Sequence, residues 1–524
     1  MQGARSSGLP KSALGIANAV TRRTENLERE WKFTTDLDFE LPDLVGRVSM
    51  LPVQQLHTTY FDTPDLRLWE SDITLRHREG ERPHEGIWTL KLPSASKSGS
   101  TLDRTEFEWT GDIGPVPTEA MEIVRGLVRH SVVQTVAELS TERRRLVVHD
   151  GTGLARAEVD DDTVTVMSGR RDGRRFREIE IELDSGTQDW GRAVLKQLRR
   201  AGARSSDEPK LTKALGVRAG RTNASAKDLS KSSRIGDVVT AAVSDGLRRL
   251  TDHDYRIRLS PSDPDVRSIH QARVATRRLR SNLKSFGAVL DPIWVRHTRS
   301  ELKRLGESLG KVRDVDVLTS NLVREEVPVV SRGPLDLREE LEGQRRQASL
   351  ELAEVMSGEG YLELLDRLYA ASERPPFVVK SVASRRANQD LVSLVGRRWR
   401  ALERRVEKAG PHPDPARLHK IRIRAKQLRY AAEAAGPVIG KPARRTAKAS
   451  ERLQAVLGDH HDAVEAQVWL SERELGRSAE ADFTSGWLSA RNRRAQDELA
   501  GAWRSVWSRL DHEKVTGWLD RAGE

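Results

Sequence analysis

The hydrophobic pattern changes period part-way along the chain. LEREWKF (27–33), LHTTYFDT (56–63), ITLRHR (73–78), IWTLKL (87–92) and RTEFEWT (104–110) are short and mostly alternate polar with apolar. RRLVVHD (144–150), ARAEVDDDTVTV (155–166) and RRFREIEIEL (174–183) do the same. Turn-rich stretches separate these runs, which therefore predict eight antiparallel strands in a barrel or sandwich. Two helical segments, 118–128 and 189–202, interrupt them. Around 216–234 the pattern dissolves into small and basic residues, and beyond it a helical period continues almost to the end. The expected fold class is α+β multidomain: an eight-stranded antiparallel β tunnel or barrel, then an all-α domain of two repeated four-helix bundles. The boundaries read as a flexible leader 1–23, a strand domain 24–217, a linker 218–232 and a helical domain 233–524, halved at about 375/376.

Residues two apart on a strand share a face, so Glu28, Glu30 and Lys32 point one way. Arg76 aligns with Arg78, Arg104 with Glu106 and Glu108, and Glu178 with Glu180 and Glu182, while Ile179 and Ile181 lie opposite. A solvated outer face with cross-strand ion pairs accounts for any one such strand. For five strands together, an enclosed ionised face is the stronger reading. Burying that many charges requires opposite charge. A phosphate chain with divalent cations supplies it: Arg and Lys hold phosphate oxygens, and paired carboxylates take hard Mg²⁺ or Mn²⁺.

The helical part contains a repeat. IHQARVATRRLRSNL begins at Ile269 and LHKIRIRAKQLRYAA at Leu418; LGKVRDVDVL (309–318) is echoed by LGDHHDAVEA (457–466). Two motif pairs at nearly one offset indicate a duplicated bundle. His270, Arg273, Arg277 and Arg280 fall within about 80° of one helix face, and His419, Arg422, Lys426 and Arg429 repeat them. A solvated face would explain one stripe; duplication weakens that explanation. Asp314 and Asp462 read as acids that hold these side chains in place.

Composition sharpens the partner. The net charge is +11, but residues 1–219 balance to −2 and residues 220–524 to +13. All of the excess charge lies with the helices, which suggests a polyanion: nucleic acid, membrane surface or polyphosphate. With no cysteine, disulfides, thiolate metal sites and cysteine nucleophiles are excluded. No run of apolar residues is long enough to span a membrane. The polar start is read as a leader rather than a signal peptide, so a cytoplasmic location is expected.

Glu28-x-Glu30-x-Lys32 resembles the ExExK signature of the CYTH superfamily, the triphosphate tunnel metalloenzymes. It is followed in family order by Tyr60-Phe61-Asp62-Thr63, Arg76-His77-Arg78, Trp88-Thr89-Leu90-Lys91, Arg104-Thr105-Glu106, Arg143 in TERRR, the Asp160–Asp162 run, Glu178/Glu180/Glu182 and Lys210 in PKLTKAL. The resemblance implies a tunnel that binds triphosphate compounds and, in many members, hydrolyses them with Mg²⁺ or Mn²⁺. By position, Arg76, Arg78, Lys91, Arg104, Arg143 and Lys210 would bind substrate. Glu28, Glu30 and Lys32 would be catalytic, and Glu28, Glu30, Glu106, Asp162, Glu180 and Glu182 would hold metal. Which of Asp160–Asp162 faces inward stays open, as does a register slip from Arg143 to Arg144 or Arg145.

The HxxRxxxRxLR repeat with its LGxVRD-like partner resembles the CHAD domain, which commonly follows a CYTH domain. That resemblance implies paired four-helix bundles with a basic groove for inorganic polyphosphate, lined by His270, Arg273, Arg277, Arg280, His419, Arg422, Lys426 and Arg429. Lys426 departs from Arg, and His460-His461 replace Val312-Arg313. The leading expectation is a metal-dependent inorganic triphosphatase with a polyphosphate-binding tail. The alternative is a non-catalytic polyphosphate-binding protein associated with granules. Nucleic-acid binding is disfavoured, because no aromatic-basic RNA motif is present and aromatics are 5%. Cyclase chemistry on ATP would need a base-recognition pocket that the sequence does not reveal. Oligomeric state and preferred substrate are not legible.

Overall fold

The computed structural model describes residues 21–44, 46–93, 102–150, 152–183, 188–216, 228–323, 333–472 and 479–519, with side chains for all of these except 21–30, 102–103, 183, 188–191, 323, 333–336 and 479–481. Most of the expected leader and linker therefore lies outside the described residues. The chain divides into two compact units, the second beginning at Thr222 and the first holding what precedes it apart from Arg125–Arg129.

The first unit runs β1 (Thr21–Thr35), β2 (Arg47–Met50), β3 (Gln54–Asp62), β4 (Thr74–Arg82), β5 (Glu85–Pro93), β6 (Leu102–Thr110), α1 (Thr118–Val128), β7 (Gln134–His149), β8 (Ala155–Ser168), β9 (Arg175–Leu183), α2 (Gln188–Arg200), β10 (Arg204–Ser205) and α3 (Lys210–Leu215). In place of eight strands it has one ten-stranded sheet, ordered β10-β1-β6-β5-β4-β3-β7-β8-β9, with β2 against β7 and an additional β1–β9 ladder. All ladders are antiparallel. The two unexpected strands, β2 and β10, are too short to show an alternation. β7 begins ten residues before the run read from sequence, because QTVAELSTE mixes small polar residues with its apolar ones.

Alternation decides what the sheet encloses. Ile179 and Ile181 are buried with Val148, Val159 and Phe33 under Val194 and Leu198 of α2. Glu178, Glu180 and Glu182 occupy the intervening positions and so face the other way. Tyr60, Leu139, Val164 and Val166 pack with Leu211 and Leu215 of α3, which fixes Lys210 and Lys213 at the sheet.

The second unit is helical: α4 (Ile235–Arg258), α5 (Val266–Ser285), α6 (Pro292–Val323), α7 (Gly333–Ser357), α8 (Glu359–Glu373), α9 (Lys380–Ala383), α10 (Ala387–Glu407), α11 (Pro415–Ile439), α12 (Lys441–Ser471), α13 (Ala479–Leu510) and α14 (Glu513–Thr516). The order α4-α5-α6-α7 of packed neighbours recurs as α10-α11-α12-α13. Counterparts also meet, α5 on α11, α6 on α12 and α7 on α13. The duplication extends to the caps. Asp265 accepts from the Ser268 amide at 2.8 Å and Asp414 from the Arg417 amide at 2.7 Å, each satisfying an orphan donor where its stripe-bearing helix starts. Ile269, Leu279, Leu283, Leu418, Ile421 and Leu428 are buried in one shared core. Among the described residues no helix is long and apolar enough to cross a membrane.

Candidate functional site

The strand register assembles a charged site. Lys32 lies across from Glu180 and Glu30 across from Glu182 on the β1–β9 ladder. Asp160 lies across from Glu180 and Asp162 from Glu178 on β8–β9, and Arg143 from Asp162 on β7–β8. Lys91 pairs in register with Glu106 on β5–β6. This face fronts a cavity of about 200 Å³ whose lining includes Lys32, Arg76, Arg78, Lys91, Arg104, Glu106, Arg143, Glu180, Glu182 and Lys210. Those ten expected site residues are therefore brought together. The side chains of Glu28 and Glu30 lie outside the described ones; their backbones sit four and two residues before Lys32 on β1.

One wall is a neutralised ion-pair network. Lys32 Nζ is 3.2 Å from Glu178 and 2.8 Å from Glu180. Lys210 Nζ is 3.0 Å from Asp162, 3.4 Å from Glu178 and 2.7 Å from Glu180. Arg143 grips both oxygens of Asp162 at 2.7 Å, reaches Glu180 at 3.2 Å and also pairs with Asp160. Burial opposes ionisation of Glu180, but Lys210, Lys32 and Arg143 outweigh it and hold the carboxyl well below its ordinary range. Asp162 and Glu178 are lowered in the same way, against burial, by Lys210 with Arg143 and by Lys32 with Lys210. Asp160 shows the opposite balance. Burial, with Asp162, Glu180 and Glu158 close by, outweighs Arg143 and pushes it up to about 6.

The other wall is positive. Arg78 is buried, its Nε donates to Thr58 Oγ1 at 3.2 Å, and it pairs with Glu81 at 3.9 Å. Burial first, and then neighbouring Arg76 and Arg143, depress its pKa. An anion in the cavity would relieve the repulsion that Arg76 and Arg143 add to this burial.

The register resolves what the sequence left open. Arg143 faces inward, Arg144 is exposed beside Glu142, and Arg145 pairs with Glu158. Asp161 faces outward to Arg177 at 2.7 Å, whereas Asp160 and Asp162 share the inner face. Glu108, which the alternation put beside Glu106 without a site role, also lines the cavity, and sequence reasoning missed Glu81 and Asp207 there, and Lys213, which pairs with Glu178 and donates to Thr34 at 2.7 Å. The spacing of Lys210 and Lys213, three apart in a helix, was the available signal for the last.

A divalent cation fits the donor chemistry here. Glu81, Glu106, Glu108 and Glu182 offer hard carboxylate oxygens, with no thiolate or imidazole among the described residues that line the cavity. Among the described side chains, no group of three or more His, Asp or Glu is arranged to hold an ion.

The helical stripes face each other where α5 packs on α11. Arg273 reaches Asp314 at 3.4 Å and Arg422 reaches Asp462 at 3.8 Å, the same pairing in each repeat. Arg277 Nε donates to Tyr430 Oη at 2.8 Å, across the two halves. Lys426 is pushed down to about 6 by burial and then by Arg277, Arg422 and Arg273. His270 is also lowered, by burial and then Arg313, Arg277 and Arg273, and His419 by burial and then Arg422 and Lys426. His419 Nδ1 lies 3.3 Å from His461 Nδ1, and His461 is pushed down to about 4 by burial and then Arg422. Arg429 differs, being held by Glu433 and Glu451 at 2.7 Å each.

Comparison with known proteins agrees with this division. The CYTH domain model matches residues 26–213 and the CHAD domain model residues 241–471. The uncharacterized protein Rv2226 of Mycobacterium tuberculosis is 31% identical over 93% of this chain and 97% of its own length. Solved structures similar to part of the chain include the CHAD domain of the plant Ricinus communis, with 25% identity and TM-score 0.44 over 54% of this chain and 95% of that one. PptA from Streptomyces chartreusis is another, with 20% identity and TM-score 0.43 over 53% of this chain and 100% of that one. The tandem domain matches and the nearly end-to-end relative lead to one conclusion: the chain belongs to the family of two-domain proteins in which a CYTH domain is followed by a CHAD domain.

Proposed function

We propose that the first unit hydrolyses inorganic triphosphate or a related triphosphate with Mg²⁺ or Mn²⁺, and that the second binds inorganic polyphosphate along its paired basic stripes. The observation that carries the reading is the buried Arg78, with Arg76 and Arg143 beside it, fronting a cavity that also holds carboxylates. With β1 laddered to both β6 and β9, the ionised face can wrap a linear anion as a tunnel. Arg76, Arg78 and Arg104 bind terminal phosphoryl oxygens, and Lys91 and Arg143 hold the remaining chain. Lys32 and Lys210 keep Glu180 ionised, so it can orient a water by accepting its proton in a hydrogen bond. Glu28, Glu30 and Glu182 would hold the metal, which would neutralise charge on the phosphoryl group.

A second reading has its own support. Asp162, Glu178 and Glu180 are already engaged by Lys32, Lys210, Lys213 and Arg143, an arrangement equally suited to a receptor for polyphosphate without turnover. Phosphate release from inorganic triphosphate, with ATP and long-chain polyphosphate in parallel and EDTA as the blank, decides between them. Metal-dependent release supports the hydrolase. Retained binding with no release under either metal supports the receptor.

A further inference from the structure

We propose that the cationic track of the helical unit is one-sided: it leaves the α5–α11 centre along the end of α5, and this arm holds the outer phosphates of a long phosphate chain. The inference rests on the polyphosphate-binding reading of that unit and specifies the path and the length of chain it takes.

Lys284 lies fourteen residues after His270 on α5, at about −40° from it, within the same stripe as Arg273, Arg277 and Arg280. The stripe thus runs about 21 Å along the helix axis, longer than an inorganic triphosphate can reach. At its far end other helices add cations. Arg398 of α10 donates to Ser285 Oγ at 3.3 Å, beside Lys284. Arg299 of α6 and Arg424 of α11 complete the group. The Nε atoms of Arg280 and Arg299 are buried with no hydrogen-bond partner. Among the described residues none of these five cations is in an ion pair. Burial holds Lys284 below its ordinary value, with Arg398, Arg424 and Arg299 adding repulsion. Arg398 is lowered likewise by burial and then Arg424. Such a cluster is stabilised by an anion that none of these residues supplies.

The repeat provides an internal comparison. At the same offset of 149, Arg280 becomes Arg429 and Lys284 becomes Glu433. Glu433 takes Arg429 at 2.7 Å and Arg278 at 2.8 Å, and Glu451 takes Arg429 at 2.7 Å. The exchange of Lys for Glu, together with Glu451 of α12, closes the second arm, while the first stays open.

The test uses the full chain in EDTA, with fluorescently labelled polyphosphate of about one hundred phosphates as the probe, read by anisotropy over a salt series. Lys284→Ala with Arg398→Ala is expected to weaken binding about tenfold and to reduce the salt slope by about two, as counterion release requires. Displacement of the probe by inorganic triphosphate, which is too short to reach the arm, should report the same triphosphate affinity as in wild type. Glu433→Gln is expected to tighten long-chain binding severalfold, a gain that misfolding cannot produce. The inference fails if the double variant binds as wild type, if it loses triphosphate and long chain equally, if Glu433→Gln gives no gain, or if only duplex RNA binding responds. A wild-type chain that binds no polyphosphate overturns the reading beneath it as well.

Discussion

Arg143 donates two parallel N–H bonds, both 2.7 Å, to the two oxygens of Asp162, its direct register partner across β7 and β8. Asp162 is wholly inaccessible to solvent. Removing Arg143 leaves a buried carboxylate with Lys210 as its remaining ion-pair partner among the described residues. Arg143→Ala is therefore expected to cost about 3–5 kcal/mol, read as a shift in the urea midpoint. Arg143→Lys should recover part of this, because a lysine keeps the charge and loses the fork. The pH dependence has a definite sign. Asp162, Glu178 and Glu180 are held below their ordinary values, so their stabilisation is present above an unfolded carboxyl pKa of about 4 and is lost as pH falls below it. An Arg143→Ala penalty that is the same at pH 3 and pH 7 would refute this account.

Turnover and stability should separate on β1 and β9. Glu30→Gln is expected to reduce triphosphate hydrolysis at least about a hundredfold, in line with loss of a metal or water-orienting group, while the melting temperature stays within a degree or two. Glu178→Gln should do the reverse to stability, since Glu178 is fully buried and is shared by Lys32, Lys210 and Lys213. Parallel losses of activity and melting temperature in both variants would show that Glu30 is structural.

Tyr430 joins the two helical halves. Its hydroxyl accepts from Arg277, and the guanidinium groups of Arg277, Arg278 and Arg429 lie 5.8, 5.5 and 6.0 Å from its ring centre. Tyr430→Phe keeps the ring and should cost only about 1 kcal/mol, whereas Tyr430→Leu loses the cation–π contacts too. Thermal melts should rank wild type above Phe above Leu. A Phe variant as unstable as Leu would place the whole effect on the hydroxyl.

The alternation in β1, β4, β6 and β9 made the ionised face readable, because each strand sets apolar residues on one face, where Phe33, Leu75, Phe107 and Ile179 are buried, and charges on the other. The duplicated HxxR spacing did the same for α5 and α11. Three features were not readable. The inward choice among Asp160, Asp161 and Asp162 depends on the β7–β8 register, which places Arg143 opposite Asp162. Lys213 reaches Glu178 only because α3 packs on the sheet through Leu211 and Leu215. The neutralised state of Arg429 depends on Glu451, a full helix away on α12. Periodicity along one element cannot show which charges of another element will face it.

Lys426 stands where the first repeat has Arg277, and this difference is expected to make the proposed polyphosphate binding sensitive to pH. Burial, and then Arg277, Arg422 and Arg273, push it from 10.5 down to about 6, so it is largely neutral at pH 7.5. The charged groups acting on it are Arg277, Arg422 and Arg273, opposed by Asp462, with His419 and His461 beside it. The unfolded chain binds the proton that the fold rejects between pH 6 and 10.5, so this group's penalty vanishes above that window and is complete below it. A polyphosphate chain on the stripe supplies the missing negative charge and raises the lysine pKa again. Binding at pH 7.5 is then expected to take up close to one proton, seen by calorimetry in two buffers of different ionisation enthalpy. Affinity should rise as pH falls from 8 to 6. Lys426→Arg, charged throughout, should sharply reduce the uptake in this range and flatten the profile. An unchanged proton uptake in Lys426→Arg would move the linkage to the histidines and refute the role of the lysine.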